Sequence, residues 1–400
     1  MTAFEAALGA ATDLLRDSVG PLGFAASTAD AHYDALWTRD AAITCLGALH
    51  TGDASWHGAV SRTLTSVATR ASAVGQLPNT VWSNGWWDFG EHAALDPTLW
   101  WCWAALRAQA LDVALDAVVH RALPTALHWL RHRDAGGTGL IQQPVASDWM
   151  DSSVQRVGMT LHANALWCRI IADAQAQGIA TGPGPDADEL RGHLDLLLWP
   201  RADGDPADAL GFLAPEVRVR GLPHPATVAA HAGGVDTDRD HWASHLRWGH
   251  LVDVVDVLGN SLAILAGVGT SAQHGLVLDG FVRRGVAEPF PSRTLGEPVE
   301  AGGADAMFDA AADENQHPRW RNPAWEYHNA ASWPMVGGFH VLAARAVGRD
   351  KEADALADAL AEACTEDGQF TFPEWRHGRT GAAGGARSQA WSAAAVLLAR

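Results

Sequence analysis

Apolar residues along this chain recur mainly at helical spacing, and the alternation of a half-buried strand is scarce. The periodicity predicts helices over 3–17, 39–50, 57–73, 96–113, 115–132, 158–177, 187–198, 241–267, 271–284, 329–347, 351–364 and 386–399. Short connections rich in Gly, Pro and Asp separate many of them, including DAGGTG (134–139), TGPGPDAD (181–188) and EAGGAD (300–305). Helices throughout, with no dominant sheet, read as an all-α fold. A superhelical solenoid would carry a sequence period, and none is visible. A closed toroid of paired inner and outer helices accounts for an even number of helices without one. Residues 199–240 are the least helical, rich in Pro, Gly and Asp, and predict a loop-rich excursion at one end of the barrel. So long a structureless stretch in a compact domain suits a lid or rim. No linker divides the chain, so residues 1–400 are expected to form one domain.

Composition narrows the function classes. The chain is 48% hydrophobic and 18% charged, which places it among folded globular proteins. Its formal charge of −18 excludes a nucleic-acid partner, because nothing would neutralise phosphates. Lys351 is its only lysine among 28 basic residues. Cys45, Cys102, Cys168 and Cys364 lie far apart in apolar stretches without a CxxC pair, as buried free thiols would in a reducing compartment. The first residues lack the basic region of a signal peptide, and no apolar run is long enough to span a membrane. A cytoplasmic protein without a membrane partner is expected.

The aromatic count is skewed: 19 Trp stand against 10 Phe and 2 Tyr. Trp100, Trp101, Trp103, Trp129 and Trp167 lie within predicted helices and suit the core. Seven others, Trp37, Trp86, Trp87, Trp149, Trp333, Trp375 and Trp391, sit beside acids and amides in clusters at helix ends. In LWTRDAAIT (36–44), Arg39 and Asp40 precede an apolar helix, where Asp40 could also act as a cap. In NTVWSNGWWDFGEHAALDPTLWWCW (79–103), Trp82, Trp86 and Trp87 precede Asp88 and Glu91, and Asp96-Pro97 opens the next helix. SDWMDSSVQRVG (147–158) holds Asp148 and Asp151 around Trp149 and Met150. A carboxyl desolvated among such side chains would keep its proton and could act as a general acid. PAWEYHNAASWP (323–334) places His328 and Asn329 between Tyr327 and Trp333. FTFPEWRHGRTG (370–381) brings Glu374 beside Trp375, and SQAWSAAAVLLA (388–399) carries Gln389 and Trp391. Sugars present apolar faces that stack on rings and hydroxyls that carboxylates accept, so this composition suits a carbohydrate. Hydrolysis of a glycosidic bond needs two carboxyl groups, about 6.5–9.5 Å apart in the inverting geometry.

These clusters, in this order, resemble the alkaline/neutral invertase family and its wider relatives, the inverting α-glucosidases and trehalases built on an (α/α)6 toroid. The matching pieces are WTRD (37–40), WDFGE with DPTLWW (87–101), WMDSSVQRVG (149–158), VLGNSLAIL (257–265), YHNAASWP (327–334), FPEW (372–375) and SQAW (388–391). The resemblance implies an (α/α)6 barrel with Asp151 as general acid and Glu374 as the general base that deprotonates water. It also implies that Arg39, Asp40, Asp88, Glu91, His328, Asn329, Gln389 and Trp391 line the glycone pocket. Asp148 is the competing acid, three residues before the matching position. The invertases carry an arginine pair after the acid, whereas this chain has Ser152 and Ser153, with Arg156 further on as a candidate for the pocket. Their Gly-Gly before Ser-Trp-Pro is Ala330-Ala331 here.

The activity so implied is inverting hydrolysis of a small α-linked disaccharide, sucrose first. Trehalose, glucosylglycerate, isomaltose and debranching-type α-glucosides are the alternatives. A sugar epimerase or lyase on the same toroid would use histidine, with His245, His250 and His328 as candidates, and a non-catalytic sugar sensor is a third class. No phosphate-binding loop is present, since AGGAR (383–387) lacks a preceding strand and a following Lys-Ser/Thr. No metal or other cofactor is implied. A homo-oligomer follows from the resemblance alone.

Overall fold

The computed structural model describes residues 3–30, 35–90, 94–134, 137–150, 156–200, 239–247, 250–299 and 322–400. Among them lie twelve α-helices: α1 (Ala3–Asp17), α2 (Thr38–His50), α3 (His57–Ala68), α4 (Asp96–Ala110), α5 (Ala117–Arg131), α6 (Leu161–Ala176), α7 (Ala187–Leu198), α8 (Val257–Ala266), α9 (Ser271–Arg284), α10 (Pro334–Ala346), α11 (Asp350–Ala363) and α12 (Ala390–Leu398). The even-numbered helices are apolar and buried around almost their whole circumference, as helices walled in on every side must be. The odd-numbered ones bury one stripe and expose the other face. Packing follows the same division. Helices α2, α4, α6, α8, α10 and α12 each touch the next, and α12 returns to α2, closing an inner ring. Each odd-numbered helix backs onto that ring from outside. The chain is an (α/α)6 toroid.

Small residues draw the ring tight. A Cβ on Gly47 of α2 would fall 2.7 Å from the Cβ of Ala394 in α12, and one on Gly338 of α10 would fall 2.8 Å from that of Ala395. The outer helices carry strong local signals, such as the capping boxes Asp186/Glu189 on α7 and Thr270/Gln273 on α9.

Strands are short and confined to the connections: β1 (Val19–Gly20), β2 (Gly23–Phe24), β3 (Leu36–Trp37), β4 (Thr80–Val81), β5 (Trp87–Asp88), β6 (Met159–Thr160), β7 (His245–Arg247), β8 (His250–Val252), β9 (Thr365–Glu366), β10 (Gln369–Phe370), β11 (Trp375–Arg376) and β12 (Ala383–Gly384). Two three-stranded ribbons, β3-β4-β5 and β6-β7-β8, matter for the site. The second corrects the helix expected over 241–267: β7 and β8 pair antiparallel there, and the helix begins only at Val257, capped by Asp256. The helix expected from 329 starts at Pro334, after an extended Trp333. Most of the 199–240 excursion lies outside the described residues. Its two flanks meet, with the Ala243 N–H donating to Leu198 O and the Trp199 and Trp242 rings 4.9 Å apart.

The four cysteines are buried and unpaired. Burial pushes the thiols of Cys45, Cys168 and Cys364 up to about 12, so they are inert packing groups. None of the described helices is long and apolar enough to cross a membrane.

Candidate active site

The inner helices present their N-termini at one end of the toroid, because an outer helix returns the chain between each consecutive pair. Contacts run around this rim. Arg39 of α2 binds Asp96 of α4, and Asp96 Oδ2 lies 3.5 Å from His162 Nε2 of α6. Arg156, before α6, reaches the α8 cap Asp256, and Val257 donates to Thr294 O. Ser332, before α10, pairs with Arg376, and Trp333 meets Trp391 of α12 edge-on at 5.7 Å. Gln389, before α12, bridges to Ser27 beside α2. Nearly all the sequence clusters fall on this rim because they were spaced by helix pairs.

Arg39 donates from Nε and Nη2 to both oxygens of Asp96 at 2.9 and 3.0 Å, with Asp96 fully buried. In the sequence Asp96 reads only as a helix-start residue, because Asp-Pro at a helix start conceals a buried ion pair. Asp40 lies in the first turn of α2, where the helix dipole favours an anion. Burial overrides this: desolvation, opposed by Arg39 and reinforced by the Glu374 carboxylate, pushes its carboxyl up to about 7.

Glu374 is buried on the short link between Phe372 and β11. Its backbone N–H donates to Ala386 O at 2.7 Å, and the Ala386 N–H donates back to Oε2 at 2.8 Å. Gly385, at φ +70°, makes room: a Cβ there would lie 2.2 Å from Oε2. Within AGGAR, Gly385 thus makes room for the carboxylate, while Gly384 lies against the Trp375 ring.

Aromatic rings gather at the same rim, with Tyr327 meeting Trp375 edge-on at 6.4 Å. Trp149 is buried, edge-on to His328 at 5.0 Å and to Trp333 at 5.4 Å, and Tyr327 stacks on His328 at 4.1 Å. His328 Nδ1 lies 3.0 Å from Met150 O. A carbonyl only accepts, so Nδ1 carries the proton and Nε2 is left as an acceptor. Burial lowers the ring to about 3, which keeps it neutral. The Met150 carbonyl so held belongs to the peptide that joins Met150 to Asp151. Asp151 itself, like Glu91, lies outside the described residues.

Polar atoms without a partner among the described residues collect at the same rim: both amide atoms of Gln389 and the indole Nε1 of Trp149, Trp375 and Trp391. A polyhydroxylated ligand would satisfy donors and acceptors of this kind.

Three sequence expectations are corrected. Asp148 is no acid: burial would raise its carboxyl, but Arg156 at 2.9 Å and Gln143 Nε2 at 2.6 Å hold it well below the usual carboxylate range. Arg156 does not line the pocket, because its buried guanidinium is spent between Asp148 and Asp256, 2.5 Å away. Asn329 is a loop clamp: Oδ1 accepts from Val299 N, and Nδ2 donates to Val299 O and Asn322 O. His245 lies buried in β7 with Nδ1 3.2 Å from Ser244 Oγ, and the His250 side chain is outside the described residues. Trp100, Trp101, Trp103, Trp129 and Trp167 are all buried.

Comparison by sequence finds no family model that matches the chain and no match among curated proteins. Solved structures do match. The mannosylglycerate hydrolase of glycoside hydrolase family 63 from Thermus thermophilus superposes with a TM-score of 0.61 at 15% identity, covering 98% of this chain and 99% of its own. A glycosidase variant bound to glucose gives 0.55 at 16% identity, over 99% and 95% of the two chains. The glucoamylase of Saccharomycopsis fibuligera gives 0.56 at 12% identity, over 99% and 94%. At these identities the likeness is one of fold, and it extends over the whole (α/α)6 toroid.

Proposed function

We propose that this protein is an inverting glycoside hydrolase acting on a small α-linked disaccharide, with sucrose the first candidate. The observation that carries the reading is the site around Glu374. A buried carboxylate is fixed by a backbone N–H at 2.8 Å, beside a second buried carboxyl, Asp40, on a rim of aromatic rings and unpartnered neutral polar groups. That three toroids of similar fold are named as a mannosylglycerate hydrolase, a glycosidase bound to glucose and a glucoamylase supports it.

In the mechanism, Glu374 accepts a proton from water as the water oxygen bonds to the anomeric carbon. Asp151 gives its proton to the glycosidic oxygen, and the bond from that oxygen to the anomeric carbon breaks. The sugar leaves with inverted configuration, Glu374 gives the proton it took from water to solvent, and Asp151 takes one up. Assigning the acid to Asp151 rests on the sequence match and on elimination of Asp148, which Arg156 keeps ionised. His328 assists by holding the Met150 carbonyl that leads into Asp151.

Asp151→Asn and Glu374→Gln should each lower kcat by about 10²–10⁴-fold while leaving the melting temperature nearly unchanged. A panel of sucrose, trehalose, maltose, isomaltose and glucosylglycerate, followed by release of reducing sugar, measures this. Turnover close to wild type in either variant removes the role given to that residue.

A further inference from the structure

The β3-β4-β5 ribbon carries Asp88, expected at the glycone pocket, and continues beyond it to a hairpin tip. Its register aligns Trp37 with Thr80 and Thr80 with Asp88, while Leu36, Val81 and Trp87 form the next row. One step further, Trp82 faces Trp86, and the Trp82 N–H donates to Trp86 O. Directly opposed residues share a face and successive rows alternate. The Leu36 and Val81 row is buried in the core. Trp37, Thr80, Asp88, Trp82 and Trp86 therefore lie together on the other face. Trp82 and Trp86 sit 6.4 Å apart, and Trp86 is 57% exposed. Trp87, 46% exposed, falls in the Leu36 and Val81 row, so the pleat turns it to the opposite face from Trp86.

An indole exposed at a hairpin tip beside two more on the same face is an apolar surface that calls for an occupant. The strip begins at Trp37, three residues before Asp40, and leads outward to the tip. Asp88 lies along it, with its carboxylate held by Thr80 and by the Gly90 N–H. Ring faces flanked by a hydroxyl-accepting carboxylate suit sugar. Their exposure suits the part of a substrate that projects from the buried pocket.

We infer that this face of the ribbon is a leaving-group subsite, where Trp82 and Trp86 stack the sugar rings beyond the scissile bond. The inference rests on the glycosidase reading and extends it from disaccharides to neutral α-linked oligosaccharides. Calorimetry in the Glu374→Gln protein tests it without turnover, with methyl α-glucoside and maltotriose as probes. Maltotriose should bind at least about tenfold tighter than methyl α-glucoside, and Trp82→Ala or Trp86→Ala should remove most of that gain. Both variants should keep methyl α-glucoside affinity within about twofold, and Trp87→Ala should leave the gain intact. Equal affinity for the two probes overturns the proposal. So does a gain that survives both tryptophan variants, including the case where sedimentation shows that they disrupt a dimer and the face joins two copies of the chain. If the wild-type protein cleaves no glycoside, the hydrolase reading fails while this binding result still stands or falls by itself.

Discussion

Asp40 and Glu374 show how burial and chain geometry decide the chemistry of single carboxyls. The Asp40 carboxyl is raised by desolvation from 3.8 in the unfolded chain to about 7 in the fold. The native state therefore binds the extra proton between those values. Its contribution to stability is fully present below pH 3.8 and is lost as pH rises through about 7. Asp40→Asn should accordingly melt higher than wild type at pH 8, with the gap closing towards pH 4. A gap of the same size at both values contradicts the buried, protonated Asp40. Glu374 depends on its neighbour rather than on charge. Gly385→Ala places a Cβ against Oε2 at a left-handed φ, so activity should fall by about 10²-fold, as displacement of a catalytic group does. Substrate turnover and the melting curve separate that displacement from unfolding.

At the scale of elements, the rim is held by ion pairs that join one inner helix to the next. Arg156 ties the entry to α6 to the cap of α8 through Asp148 and Asp256. Removing it in Arg156→Met leaves two buried carboxylates uncompensated, and the expected loss is about 3–5 kcal/mol, read from chemical denaturation. Sugar affinity of the folded fraction should not change, which distinguishes a strut from a ligand. The sequence points Arg156 to the pocket because it is the arginine that follows the acid, where the family's pair is replaced by Ser152 and Ser153. Only the fold brings Asp256 to it, from 100 positions away. The helices themselves are legible, the outer ones from their one-sided apolar stripe and caps, the inner ones from apolar runs too long for strands. The hairpin of β7 and β8 is not, because strands of three residues are too short to show a period of their own. Trp86 and Trp87 were read as a pair for a similar reason: adjacency in sequence is visible, and the pleat that parts them is not.

The whole molecule makes sense of the spacing of the clusters. Each inner helix starts at the rim and each outer helix brings the chain back to it, so residues tens of positions apart return to one end of the barrel. The closed inner ring, from α2 through α12 and back, is what the even helix count and absent repeat implied. Glu374, Asp40, His328 and Gln389 were all legible as candidates because each combines a polar group with an aromatic neighbour at a helix boundary. Asp96, Gly385 and Trp82 were not singled out, since an Asp-Pro helix start, a glycine turn and a hairpin tryptophan each have an ordinary structural role. The central claim, that a water activated by Glu374 displaces the leaving group from the far side of the sugar, is tested most directly by stereochemistry. Proton NMR of the first minutes of hydrolysis of an α-glucoside should show β-glucose appearing before mutarotation. Release of α-glucose first would contradict it.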